Sequence, residues 1–286
     1  MFTACCVLTV LGGSVALGTP VAWLLKGRRP AEEGDWLVAP FLGVAAAVLV
    51  LHNLVYFGYT VARVTPWLWL AAGSGWLGVL WRCGAGAGRR RLAAGARALF
   101  ASCPWPVYLA VAAVFCAHGL GLFVVGARDY LARANGDQYN YTSLAQFLVD
   151  VPYATDWDAL GQRPYLAEGR NLRDDRIGAM LLQGFFAASL GAGTRPLFAP
   201  TILLGPAFVV LAAYGLGRRL GLAKGDALAA AVAAGAVPGL AMLQLQSFMA
   251  HTLAIPFLLM NLYTLHELAT APRWGRFLGT ALLLAV

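Results

Sequence analysis

Along most of this chain, apolar residues run on without a polar face. Many of these stretches reach roughly 18 residues or more, enough to cross the hydrocarbon core of a bilayer. They lie at about Thr3–Leu25, Trp36–Phe57, Pro66–Trp81 and Leu99–Gly126, then Pro196–Gly217, Asp226–Gln244 and Thr252–His266, with another beginning near Phe277. Apolarity of this kind predicts helices surrounded by lipid or by one another. A membrane β-barrel would show alternating segments of about ten residues, and none occurs. The predicted fold is therefore an all-α polytopic membrane protein of about seven or eight transmembrane helices. The last run is about ten residues long when the sequence stops at Val286, which predicts a chain that continues.

One segment breaks the pattern. Arg128–Arg176 holds eight of the thirteen acidic residues and six arginines. After it comes Ile177–Ala192, apolar but only 16 residues long. The chain thus divides into an N-terminal three-helix membrane segment, 1–97, and a membrane core, 98–286, that carries a loop at 128–195.

Basic residues orient these elements, because loops rich in Lys and Arg stay on the cytoplasmic side. The Arg82–Arg97 connection carries Arg82, Arg89, Arg90, Arg91 and Arg97, and Lys26–Asp35 carries three more basic residues. The intervening Tyr59–Thr65 has only Arg63. The N-terminus is then outside. Met1–Leu25 is a retained helix rather than a signal peptide, since its charges follow the apolar run instead of preceding it. The loop 128–195 becomes extracytoplasmic. If Ile177–Ala192 crossed the membrane, Arg218, Arg219 and Lys224 would fall outside. A juxtamembrane helix, with Ile177, Leu181, Phe185 and Phe186 turned toward lipid or protein, keeps them inside and also places Arg273 and Arg276 correctly.

Composition agrees with a membrane protein. The chain is 60% hydrophobic and 12% charged, with a mean hydropathy of +0.68. A soluble domain carries about twice that charged fraction. The net charge of +8 lies in short connections between helices, which is a topology signal and excludes a nucleic-acid-binding face. Cys5, Cys6, Cys83, Cys103 and Cys116 form no CxxC or Cys/His pattern, so neither a zinc site nor a disulfide framework is expected.

Within the polar segment, Asp137 follows the turn signal Asn135-Gly136, and Tyr141 and Ala145 stand four and eight residues further on. On a helix the three share a face, so a carboxylate and a phenol project together. Such a carboxylate suits a general base, or a ligand for a divalent cation beside a phosphate leaving group. It equally suits a helix N-cap. Arg170, Arg173, Asp174, Asp175 and Arg176 fit either a phosphate site, through the arginine forks, or a self-neutralising loop. Trp157 between Asp156 and Asp158 reads as a sugar platform or an interface anchor. Gln244, Gln246, Ser247 and His251 cluster at a span end, as a far wall of the same cavity or as ordinary water contacts. His52 and His118 lie in or near spans, where bonding to a neighbouring helix accounts for each.

Asp137-Gln138-Tyr139-Asn140-Tyr141, Asn171-Leu172-Arg173-Asp174-Asp175-Arg176, Phe185-Phe186-Ala187-Ala188-Ser189-Leu190-Gly191 and Tyr214-Gly215-Leu216-Gly217-Arg218-Arg219 together resemble the GT-C superfamily of membrane glycosyltransferases. The resemblance covers roughly Leu99 to His266. It implies transfer of a sugar from a polyprenyl-phosphate carrier to an acceptor, on the outer face of a bacterial-type inner membrane. Asp137 would be the loop aspartate that activates the acceptor or binds metal. Tyr141, Arg173, Asp174, Asp175, Arg176, Gln246 and His251 would bind substrate, and the bilayer lipid would be a further partner. Two features depart from the family. Gln138 stands where many members carry a second acid, which speaks against a metal pair. Three extra spans precede the loop, which points to a divergent branch. A transporter or flippase and a non-catalytic scaffold are the alternatives. The near absence of charge at span centres counts against ion-coupled transport. No feature of the sequence fixes the oligomeric state.

Overall fold

The computed structural model describes residues 1–26, 32–84, 97, 101–131, 135–153, 155, 177–245 and 249–285. Among these the regular structure is helical throughout, without a strand. In order, the helices are α1 (Phe2–Lys26), α2 (Glu33–Tyr56), α3 (Val61–Gly84), α4 (Trp105–His118), α5 (Leu120–Val125), α6 (Asn135–Asp150) and α7 (Gly178–Leu190). They continue as α8 (Arg195–Ile202), α9 (Leu204–Arg219), α10 (Lys224–Gly235), α11 (Pro238–Leu245), α12 (Met249–Thr270) and α13 (Trp274–Leu284).

Four stretches are long and apolar enough to cross a membrane: Phe2–Leu25, Glu33–Tyr56, Arg195–Arg219 and Lys224–Leu243. The last two each join a pair of shorter helices. α3 and α12 have comparable lengths of 24 and 22 residues. They are less apolar, because Trp and Gly replace aliphatic residues in α3 while His251, Asn261, Thr264, His266 and Glu267 interrupt α12. Large apolar side chains such as Leu8, Leu70, Leu109 and Leu258 face outward, a surface compatible with lipid.

Local chemistry sets the helix ends. The backbone N–H of Glu32 donates to Asp35 Oδ2 at 2.7 Å, so α2 begins several residues before its apolar run. α7 stops at Gly191, which takes the left-handed conformation (φ 59°, ψ 32°), and Ala192 N–H returns to the Ala187 carbonyl at 3.0 Å. α1 and α2 cross backbone to backbone. A Cβ placed on Gly18 would sit 1.6 Å from the Ala39 carbonyl oxygen, and one on Gly43 2.4 Å from that of Ser14. Only glycine permits this approach, as at close helix crossings in membranes.

A single large apolar cluster joins α1–α3 to the later helices. α7 is at its centre, between α6 on one side and α1, α2 and α3 on the other. Ile177 is 2% exposed, and Leu181, Phe185 and Phe186 are fully buried. Every residue from Met180 to Ala187 is buried, so these side chains face protein. A helix resting on an outer surface would keep one wet stripe; α7 has none there, because α6 covers its far side. Trp69 fixes it further, stacking on Phe185 with ring centroids 5.6 Å apart and donating its indole N–H to Ser189 Oγ at 2.8 Å.

Three of the long helical stretches are interrupted where they meet. α4 gives way to α5 at Gly119, α8 to α9 at Leu203, and α10 to α11 before Pro238. A Cβ on Gly119 would lie 3.0 Å from Leu203 Cδ1. His118 Nε2 is 2.9 Å from the Gly235 carbonyl oxygen, which it caps at the end of α10.

One end of the bundle gathers most of the described charged side chains. The start of α2, the turn between α9 and α10, and the turn between α12 and α13 meet at this end, tied by side-chain contacts. Tyr214 donates to Glu33, Lys224 Nζ lies 3.5 Å from Glu33 Oε2, and Glu267 pairs with both Arg219 and Arg276. Arg218, Arg219, Lys224, Arg273 and Arg276 all belong to this basic end. The opposite end carries the starts of α1, α3 and α6.

Candidate functional site

α6 and the turn into α8 form a pocket of about 510 Å³ at the end opposite the basic cluster. Gln138, Thr142 and Gln146 recur every fourth residue and line it together with Tyr139 and Ser143. Its other wall is Gly193, Thr194 and Arg195. The α6 register is set from behind, where Leu144, Ala145, Phe147 and Leu148 are fully buried. Burying that face leaves Tyr139, Thr142 and Gln146 at least partly exposed on the pocket side, while Gln138 and Ser143 are buried.

The polar wall is held in place by its own hydrogen bonds. Gln146 Oε1 accepts the Thr194 backbone N–H at 3.0 Å, and Gln146 Nε2 donates to Asp150 Oδ2 at 2.9 Å. Thr194 Oγ1 donates to the Thr142 carbonyl at 2.9 Å. From α7, fully buried Gln183 donates Nε2 to the Thr194 carbonyl at 3.0 Å, while its Oε1 has no partner. Gln138 Nε2 reaches the Tyr130 carbonyl at 3.4 Å. Such a braced network keeps donors and acceptors in fixed directions. Arg195, the first residue of α8, is exposed and forms no ion pair with the described residues. The Tyr139 ring is also exposed. The described lining is mostly apolar where it is exposed, including Leu131, with one aromatic face, one cation and the partly exposed Thr142 and Gln146. It contains no Asp, Glu, His or Cys. Elsewhere among the described residues, no three of those side chains gather closely enough to hold a metal ion.

The expected site residues distribute unevenly around this pocket. Asp137 falls in the first turn of α6, one residue before Gln138, but its side chain lies outside the described residues. Tyr141 is half-buried, with its ring 6.3 Å from that of Phe198, so it packs inward instead of lining the pocket. Arg173, Asp174, Asp175, Arg176 and Gln246 lie outside the described residues, as do Asp156, Trp157 and Asp158. His251 is exposed in the first turn of α12 and is not part of the pocket wall. The pocket face runs one position later than the Asp137–Tyr141–Ala145 face. Gln183 and Arg195 belong to the site without having been expected there. Their sequence signals were a lone amide in the apolar run Ile177–Ala192 and an arginine directly before a span.

No family model, curated protein or solved structure matches the chain.

Proposed function

We propose that the chain is an integral membrane glycosyltransferase of the GT-C kind, which moves a sugar from a polyprenyl-phosphate donor to an acceptor at the extracytoplasmic face. The observation that carries this reading is a pocket beside Asp137 whose mostly apolar described lining presents the exposed Tyr139 ring and Arg195, which has no ion-pair partner among the described residues. Sugar hydroxyls are both donors and acceptors, and Thr142 and Gln146, the partly exposed polar residues of the lining, suit them. Tyr139 offers a face for stacking. The Arg195 guanidinium suits a phosphate, through two parallel N–H···O bonds. Asp137, one residue before Gln138, is the proposed group that orients or deprotonates the acceptor hydroxyl. The proton on the acceptor oxygen passes to the Asp137 carboxylate as that oxygen bonds to the sugar carbon and the polyprenyl phosphate departs. Arg173 and Arg176 are assigned to the carrier phosphate beside Arg195. Asp174, Asp175 and Gln246 are assigned to the remaining walls, and a divalent cation is an optional partner of Asp137.

In this reading the basic end is cytoplasmic, the N-terminus and the loop 128–195 face outward, and the membrane is a bacterial-type inner membrane. Seven spans are α1, α2, α3, α4–α5, α8–α9, α10–α11 and α12, and α13 is a shorter helix of 11 residues. The test is incubation of the purified chain with radiolabelled polyprenyl-phosphate sugars. Asp137→Asn should abolish transfer while leaving membrane insertion intact; a fully active variant would sink the assignment.

One observation favours a second reading, a transporter or flippase. Discontinuous helices meeting partway through a bundle are a hallmark of transporters. α4, α9 and α10 have 14, 16 and 12 residues, and their breaks adjoin at His118, Leu203 and Gly235. Translocation of a lipid-linked sugar in proteoliposomes, with no change in its covalent structure, would favour that reading over transfer.

A further inference from the structure

The basic end holds a second cavity that the proposed transferase chemistry does not use. It is a cleft of about 410 Å³ between α1, α2, α12 and α13. Its walls grade from charged to apolar with depth. On α2 the order is Asp35, Val38, Leu42; at α13 it is the N-cap Arg273, then Arg276, Gly279 and Thr280. Glu32 and Glu267 also line the cleft. Arg276 and Thr280 are spaced i, i+4, so they share one face of α13, and Arg273 precedes that helix as its extended N-cap.

The polar groups of this cleft are not equivalent. Arg276 is fully engaged: it donates to the Glu267 carbonyl at 3.2 Å and the Ala271 carbonyl at 2.9 Å, and pairs with the Glu267 carboxylate. Arg273 is exposed and its guanidinium has no partner among the described residues. Deeper in the cleft, Thr280 is only 3% exposed, and its hydroxyl has neither a donor nor an acceptor partner among the described residues. An orphaned buried hydroxyl costs on the order of 1–3 kcal/mol unless something bonds to it. Beside the mouth, Trp274 and Phe277 are exposed and stacked, with centroids 5.3 Å apart and planes 5° from parallel. Exposed aromatics of this sort sit at the headgroup level of a bilayer.

We propose that this cleft binds one membrane glycerophospholipid, head outward. Arg273 takes the phosphate, the Thr280 hydroxyl donates to a glycerol or ester oxygen, and an acyl chain lies along Leu25, Val38 and Leu42. A free phosphate satisfies Arg273 but leaves Thr280 and the apolar floor empty, so the depth gradient selects an amphiphile. Gly279 gives the chain its room. A Cβ there would meet only Leu25 Cδ1 at 3.5 Å and Leu42 Cδ2 at 4.0 Å, which is ordinary contact.

The test uses the full chain in vesicles of phosphatidylethanolamine and phosphatidylglycerol, with a trace of a photoactivatable phospholipid. Crosslinks should map to α2 and α13. Arg273→Gln should lower the yield roughly tenfold, the equivalent of one charge-assisted hydrogen bond, and Thr280→Val about threefold. Gly279→Leu fills the apolar half without backbone strain and should abolish the crosslink, so the idea stays testable if Arg273→Gln folds poorly. Arg63→Gln, at the other end, should have no effect. Wild-type yields in both Arg273→Gln and Gly279→Leu would overturn the proposal. So would full displacement of the lipid by millimolar inorganic phosphate, which would identify a site for the free ion.

Discussion

The two cavities sit at opposite ends of one bundle, and their walls are made of different chemistry. Around the α6 pocket the described lining is mostly apolar where exposed, and its amides and hydroxyls are held by one another, by backbone and by Asp150, with Arg195 left over. At the basic end most charges are spent on structure. Glu267 ties α9 to the start of α13 through Arg219 and Arg276, and Glu33 ties α2 to α9 and α10 through Tyr214 and Lys224. Arginine abundance therefore says little about binding. What separates a binding arginine from a structural one is the absence of a carboxylate partner, and Arg195 and Arg273 meet that condition at their respective ends. A neutral wall suits a polyhydroxylated ligand, while a charged rim over an apolar floor suits an amphiphile.

The sharpest way to break this contrast is at Asp137. Its substitution by Asn should lower sugar transfer by about 10²–10⁴-fold, the usual contribution of a general base. Arg273→Gln at the other end should leave transfer unchanged. Equal losses in a transfer assay would mean that the two ends do not have separate roles.

Next in size is the floor beneath the α6 pocket. Phe185→Ala and Phe186→Ala should each cost about 3–5 kcal/mol, as for a large aromatic removed from a packed core. A helix on an outer surface would lose far less, so thermal unfolding in detergent decides between the two placements. At the basic end, Glu267→Gln should cost about 2 kcal/mol, below the 3–5 of a fully buried pair because the partners keep some solvent contact. Its transfer activity should remain at the wild-type level, marking Glu267 as a structural tie.

Much of the helical order was legible from apolar runs alone. Thr3–Leu25 lies within α1, Pro66–Trp81 within α3, and Thr252–His266 within α12. The ends were less so, because caps such as Glu32 with Asp35 are polar and fall outside the run that announces the helix. The burial of α7 could not be read, since an apolar stretch looks the same whether lipid or protein covers it; only α6, distant in sequence until the chain folds, settles that. The pocket face was missed by a single position. Residues 137, 141 and 145 and residues 138, 142 and 146 are both good i, i+4 series. The choice between them rests on a rotation of about 100°, fixed by how Leu144, Ala145 and Leu148 pack. Charge counting gave no partners. Arg219 and Arg276 read as topology markers and turned out to share Glu267.

The finest test of the contrast is Arg195→Lys. Lysine keeps the positive charge but loses the planar fork, so it holds a phosphate as a point charge rather than through two parallel bonds. If Arg195 binds the donor phosphate in ground and transition states alike, KM for the polyprenyl-phosphate sugar should rise about three- to tenfold with kcat nearly constant, a change of roughly 0.7–1.4 kcal/mol. Arg195→Gln should raise KM further along the same line. Stability should hardly move in either variant, because the side chain is exposed and has no ion-pair partner to lose among the described residues. A fall in kcat without a change in KM would instead place Arg195 on charge that develops only during transfer. Unchanged kinetics in both variants would remove it from the site, and with it the reason for preferring a phosphate-linked sugar over a neutral one at this end of the bundle.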